Sequence, residues 1–264
     1  MLLAVDVGNT ETLVGLFEGA TGDTADPRDL VDHWRLSSDP SRTPDELALV
    51  LGQLLALRGL GLGDVSGLAV CSGVPRLTAA LRQLCARHLG RPPVVIGPGT
   101  RTGVPIRYEN PREVGADRIA NAVGALARFE PPIVVVDFGT ATTLDAISPA
   151  GEYLGGAIVP GVEIALDALY HHAALLRRVE LVEAPRQVIG TSTEAAIQSG
   201  TLYGTAALVD GMVARMAEVL GRPTVVATGG LSTLVAPLTR SVQHQDPWLT
   251  LRGLQVVFER NTTP

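Results

Sequence analysis

Two stretches of this chain decide its fold: Leu3-Ala4-Val5-Asp6-Val7-Gly8-Asn9-Thr10 near the start and Val135-Val136-Asp137-Phe138-Gly139-Thr140-Ala141 near the middle. Each is an apolar run that meets an aspartate, one apolar residue, a glycine and a polar turn, and then resumes as a second apolar run, Thr12–Phe17 or Ala141–Ile147. Apolar run, Gly-containing turn and apolar run read as a β-hairpin. Asp6 and Asp137 lie 131 residues apart, close to half of the 264-residue chain, so the match reads as one internal duplication and not as a short-period array.

Working outward from the first hairpin, Val31–Ser37 predicts a third strand. Thr43, Pro44 and Glu46 form a capping box ahead of a leucine-rich helix to Leu57. Strand Gly67–Ser72, helix Leu77–His88, strand Pro93–Ile96 and helix Arg112–Phe129 follow. Around the second hairpin, Tyr153–Val159 is a third strand and Val162–Leu176 a helix. Thr191 and Glu194 suggest a second capping box opening a helix to about Leu220. Strand Thr224–Ala227, a short helix Leu231–Leu238 and a closing helix Leu249–Arg260 complete the pattern. The expected architecture is α/β, with each half a strand meander followed by alternating helices and strands in a mostly parallel sheet.

Composition narrows the chemistry. With 46% hydrophobic residues the chain can bury a full core. All 21 basic residues are arginine, so Schiff-base enzymes, Walker A NTPases and the protein-kinase fold are excluded, because each needs a lysine. A net charge of −6 without a basic run argues against nucleic acid as a partner. No apolar run is long enough to span a membrane, and Met1–Val7 reaches Asp6 with no basic stretch, so no signal peptide is expected. Cys71 and Cys85 form no CxxC, read as core thiols and fit a reducing cytoplasm.

A lone Asp6-x-Gly8-x-Thr10 is most simply a hairpin turn. Its repetition as Asp137-x-Gly139-Thr140 favours a phosphate-binding turn. In such a turn the glycine lets backbone approach an anion, the threonine donates, and the carboxylate orients hydrated Mg²⁺. Two such hairpins from pseudo-symmetric halves would face each other across a cleft and could hold a nucleoside triphosphate without lysine. In Tyr108-Glu-Asn-Pro-Arg-Glu-Val-Gly115-Ala116-Asp117-Arg118, Asp117 and Asn121 fall on one helical face. Gly115 in an early helical turn is costly, which implies close packing there. Asp117 is a candidate base and Arg118 an anion clamp, against the simpler reading of a surface Asp–Arg pair. Gly229-Gly230 reads as punctuation where backbone could approach a nucleoside, and adjacent His171-His172 as solvated helix surface rather than a metal pair.

Taken in order, these motifs resemble the type III pantothenate kinases, also called Bvg accessory factor-like proteins, over essentially the whole chain. The likeness rests on Asp6-Val-Gly-Asn-Thr10, Gly97-Pro-Gly-Thr with Thr102-Gly103, Asn110-Pro-Arg-Glu-Val-Gly-Ala-Asp-Arg118 and Asp137-Phe-Gly-Thr-Ala-Thr-Thr143. It continues through Tyr153-Leu-Gly-Gly-Ala157, Pro160-Gly161, Gln198-Ser-Gly200, Tyr203-Gly204 and Ala227-Thr-Gly-Gly230.

The resemblance implies duplicated ribonuclease H-like domains of the actin-like ATPase superfamily, each a mixed five-stranded sheet with flanking helices. The halves would span residues 1–112 and 113–264, the final helix packing back on the first. It implies a cytoplasmic homodimer that phosphorylates pantothenate with ATP in the first step of coenzyme A synthesis, using Mg²⁺ and a monovalent cation, K⁺ or NH₄⁺. It also assigns residues. Asp6, Val7, Gly8, Asn9, Thr10, Glu11, Thr12 and Leu13 match the ATP phosphate loop, with Asp6 on the Mg²⁺ side, and Thr140 a further ATP contact. Asp117 matches the proton acceptor. Tyr108, Gly115, Ala116, Asp117, Arg118 and Thr193 match pantothenate contacts, and Asp137 the K⁺ ligand. Three departures stand out: Glu11 where asparagine is commoner, Thr191-Ser192-Thr193 in place of Lys-Asn-Thr, and Arg177 where proline is frequent. The alternative is a non-catalytic actin-like regulatory or accessory protein.

Overall fold

The computed structural model describes residues 1–18, 30–173 and 176–262. In chain order the elements are β1 (Leu2–Val7), β2 (Glu11–Phe17), β3 (Leu30–Ser37), α1 (Pro44–Ala56), β4 (Gly67–Ser72), α2 (Pro75–Leu84), β5 (Val94–Val95) and α3 (Ala116–Leu126). The second series is β6 (Ile133–Phe138), β7 (Ala141–Ile147), β8 (Tyr153–Pro160), α4 (Val162–His172), α5 (Thr193–Leu220), β9 (Thr224–Thr228), α6 (Ser232–Val235) and β10 (His244–Gln245), closed by α7 (Leu249–Thr262). They form two five-stranded sheets, ordered β3-β2-β1-β4-β5 and β10-β9-β6-β7-β8. Read from the meander edge, the two orders correspond strand for strand. In each, the three-strand meander is antiparallel and the two later strands are parallel to the first. The duplicated mixed sheets are therefore as expected.

The chain divides into two compact units. The first comprises 1–104, 109–127 and 249–264; the second, 105–108 and 128–248. In the first, Leu3, Val5, Val7, Val14 and Leu16 pack one sheet face against Leu47, Leu51 and Leu55 of α1 and Leu77, Leu81 and Leu84 of α2. Each such side chain contributes about 1.5–3 kcal/mol on burial, more than the helix propensities could. The opposite face meets α7. Leu251 lies against Gly15 and the Phe258 ring against Gly67, where no larger side chain fits. α7 also crosses α3 closely, with Gly253 and Gly124 at the contact. In the second unit Val134, Val136, Phe138, Leu144, Val225 and Ala227 form the core with Leu202, Ala206, Val209 and Val213 of α5.

Several boundaries differ from the expected ones. The capping box at Thr43 and Glu46 is present. At the second, the cap is Ser192, whose hydroxyl accepts from Ala195 N at 3.1 Å, so α5 begins one turn position later than Thr191 would set it. The helix expected over 112–129 is two pieces, a short 3₁₀ turn at Pro111–Glu113 and α3, separated at Gly115. α2 ends in a π turn at Cys85–Leu89. α4 stops at His172, and residues 174–175 of its expected extent lie outside the described residues.

Candidate active site

The first loop closes where Gly8 N donates to Glu11 O at 3.0 Å; a Cβ on Gly8 would come 2.9 Å from that oxygen, so the tight turn needs glycine. Asn9 and Thr10 form the exposed tip. Thr10 O accepts from Ser38 N at 2.9 Å, and the Thr12 and Ser38 hydroxyls meet at 2.7 Å, tying the loop's base to the end of β3. Val7 is in the core and Leu13 half-buried, so Val7 can offer a ligand only its backbone. Glu11, the family departure, is ion-paired with Arg35 of β3 at 2.7 Å, which offsets its charge within the chain.

Asp6 is half-buried at the carboxyl end of β1, the end at which ligands bind in open α/β sheets. It stands abreast of Cys71 at the end of β4, and Cys71 Sγ donates to Asp6 Oδ1 at 3.1 Å. Burial pushes the Cys71 thiol well above its ordinary range, and the carboxylates of Asp6 and Asp117 raise it further. Asp6 and Asp117 therefore converge on one corner of the first unit.

Asp117 reaches that corner from the second position of α3. Gly115 is the N-cap, outside the helix; the close packing its presence implied is Asp117 itself. A Cβ on Gly115 would fall 2.4 Å from Asp117 Oδ1, which accepts from Arg118 N at 2.9 Å. The helix N-terminus favours a negative charge here. Asp117 is exposed, whereas Arg118 is buried, so a plain surface pair does not describe them. Asn121 does not share the exposed face of Asp117. It is fully buried and accepts from Thr250 Oγ1 at 2.7 Å, joining α3 to α7.

In the second unit, half-buried Asp137 ends β6 before Gly139 and Thr140, both exposed. Gly161 packs on the backbone of this loop, its N–H donating to Thr140 O at 3.2 Å. Gly229, at φ +90°, presses its backbone against Asp137 Oδ1, so Gly229-Gly230 does more than punctuate the chain. Thr228, abreast of Asp137 in the β6–β9 register, is buried. The Tyr108 ring lies on Gly155, at 3.0 Å from where a Cβ would be, and Thr193 opens α5, exposed. His171 and His172 are exposed in the last turn of α4, and Cys85 is a buried core thiol, as expected. Sequence reasoning missed the Arg35–Glu11 pair and the contact of Cys71 with Asp6; both depend on strand register.

Among the described residues no group of three or more His, Cys, Asp or Glu could hold a metal ion. The half-buried Asp6 carboxylate at the end of β1 fits a divalent ion that keeps most of its waters and binds through one or two carboxylates and substrate phosphates.

The family model for type III pantothenate kinase matches residues 2–215. The type III pantothenate kinase of Moorella thermoacetica is 52% identical over 263 residues, covering 99% of this chain and all of the relative. Among solved structures, a Baf family protein from Campylobacter jejuni superposes with a TM-score of 0.58 at 20% identity, covering 98% of each chain. A ROK hexokinase from Thermus thermophilus superposes with a TM-score of 0.52 at 14% identity, covering 99% of each. The last two show the fold alone.

Proposed function

The chain belongs to the type III pantothenate kinase family, and from that membership and its site we infer that it transfers the terminal phosphoryl group of ATP to the hydroxyl of pantothenate, opening coenzyme A synthesis. The observation that carries the mechanism is the convergence of Asp6, from the first loop, and Asp117, from α3, on the Cys71 corner.

Phosphoryl transfer asks mainly for positioning and charge compensation. The Gly8–Glu11 loop receives the phosphates through backbone amides and the Thr10 hydroxyl, with Asp6 through Leu13 lining that side and Thr140 a further contact from the second loop. Asp117 accepts the proton of the pantothenate hydroxyl as its oxygen bonds to phosphorus and the bond to the departing ADP oxygen breaks. Arg118, Gly115, Ala116, Tyr108 and Thr193 hold the acceptor. Mg²⁺, on the Asp6 side, supplies charge compensation for the triphosphate that a lysine-free chain lacks. Asp137 holds a monovalent cation, K⁺ or NH₄⁺; the Thr228 hydroxyl beside it and the close Gly229 backbone support an oxygen-lined site.

The enzyme acts as a cytoplasmic homodimer without a nucleic-acid partner. Ile158, Ile164, Leu169 and Ile189 of the second unit are exposed, and an apolar dimer contact would draw on residues of this kind. No helix among the described residues is long and apolar enough to cross a membrane, and both cysteines are free.

The test is ATP consumption by purified protein with and without pantothenate, in K⁺, NH₄⁺ and Na⁺. Turnover should require pantothenate, and Asp117→Asn should lower it by about 10²–10⁴-fold with little change in KM, as loss of a general base does. Pantothenate-independent ATP turnover, or Asp117→Asn within about threefold of wild type, well short of that loss, would overturn the reading.

A further inference from the structure

Cys71 is fully buried at the carboxyl end of β4, and its one side-chain proton points to a carboxylate oxygen, Asp6 Oδ1, 3.1 Å away. The duplication repeats the placement, though not the hydrogen bond. Thr228 occupies in the β6–β9 register the place that Cys71 occupies in the β1–β4 register, abreast of Asp137 as Cys71 is abreast of Asp6. Thr228 is also buried, and its hydroxyl bonds to none of the described residues. Valine or alanine would satisfy a buried strand position equally well as packing. Each unit instead places there a small residue with a proton to give.

We propose that Cys71 is a positioning residue for Asp6: its thiol donates to Oδ1, fixes the rotation of the carboxylate, and so turns Oδ2 toward the hydrated metal of the ATP complex. The inference rests on reading Asp6 as the magnesium-side carboxylate. A carboxylate at a strand end rotates in a broad, two-fold torsional well, so one anchored oxygen decides where the other points.

Calorimetric titration with MgATP, and with ATP in excess EDTA, both without acceptor, tests this on the wild type, Cys71→Ala, Cys71→Ser and Asp6→Asn, with melting temperatures alongside. Cys71→Ala should weaken MgATP binding by about two- to twelvefold, the equivalent of one hydrogen bond, and leave metal-free ATP binding unchanged. Cys71→Ser, which restores a donor, should bind MgATP like the wild type, and the KM for MgATP should follow the same order. Should Cys71→Ala fail to fold, Cys71→Val takes its place. Normal MgATP binding by the alanine variant, with Asp6→Asn impaired, overturns the role of Cys71 alone. Equal losses in Ser and Ala variants assign the effect to packing and also overturn it. Normal binding by Asp6→Asn overturns the reading of Asp6 and this inference with it.

Discussion

Replacing Gly115 with alanine should cripple catalysis and leave the fold intact. Gly115 has φ −55° and ψ 140°, which any L-residue adopts, so its backbone does not require glycine. The obstacle is Asp117. A Cβ on Gly115 would sit 2.4 Å from Asp117 Oδ1, and ordinary contact begins at 3.4 Å, so the carboxylate must withdraw by roughly 1 Å. The 2.9 Å bond from Arg118 N would be lost or lengthened. Oδ1 is the tip of an exposed, rotatable side chain, so moving it costs about 0.5–1.5 kcal/mol. Restricting the unfolded chain returns about 0.4–1 kcal/mol. Stability should thus be nearly unchanged, with Tm within about 4 °C of wild type. Catalysis is less tolerant, since a 1 Å misplacement can cost about 10²-fold. The assay is kcat by coupled detection of ADP at saturating ATP and pantothenate, with scanning calorimetry alongside. A kcat within about threefold of wild type would refute the argument, because the expected loss is far larger. A fall in Tm beyond about 8 °C would instead place the need for glycine in the backbone.

Gly253→Ala should destabilise the first unit by about 1–3 kcal/mol through overpacking, because its Cβ would lie 1.9 Å from Ala120 O, a backbone atom that cannot step aside. Gly204→Ala, in a part of α5 where a Cβ meets nothing within 4 Å, should stabilise by about 0.5–1 kcal/mol; urea midpoints of the two variants should move in opposite directions. Neither cysteine should react with iodoacetamide at neutral pH until the protein unfolds. Burial pushes Cys85 up to about 11 and Cys71 well above its ordinary value, so for Cys85 the thiolate is about a hundredfold scarcer than in an ordinary cysteine. Rapid native labelling of either, followed by peptide mass, would contradict this. Asp137→Asn should weaken activation by K⁺ most and leave activity in Na⁺ least altered; a variant with the wild-type K⁺ response would remove Asp137 from the cation site.

Local chemistry made much of the fold legible. Hairpins around Gly8 and Gly139 and the Thr43–Glu46 box are set by residues within a few positions of each other, and they stand where the sequence puts them. One misreading arises where a tertiary partner decides. Asn121 faces α7, where Thr250, distant in sequence, bonds it; the break before α3 at Gly115 is a local matter, the Asp117 carboxylate two positions on lying over that residue. Ser192 and Thr191 both cap helices through a hydroxyl, and Glu194, three residues after Thr191, draws the expected cap to the threonine, although serine is the better N-cap. β10 is two exposed residues, His244 and Gln245, too short and too polar to carry an alternating pattern. The loop aspartates were visible through repetition alone. Their neighbours Cys71 and Thr228 were not, because period-two alternation gives a strand's face but not its register against a partner far along the chain.

The order of synthesis gives the closing helix a further consequence. α7 covers the sheet face at Gly15 and Gly67 and seals α3 through Gly124 and Gly253, yet the ribosome makes it only after the whole of 128–248. At about 5–20 residues per second, the first sheet and α3 wait roughly 6–25 s with that face uncovered, while the second unit can fold meanwhile as an insertion. During this interval the nascent chain exposes Leu2, Ala4 and Ala69, and a holding chaperone would find its target there. A stop codon or bulky fusion just before Leu249 should therefore produce a folded second unit attached to a first unit that cannot close.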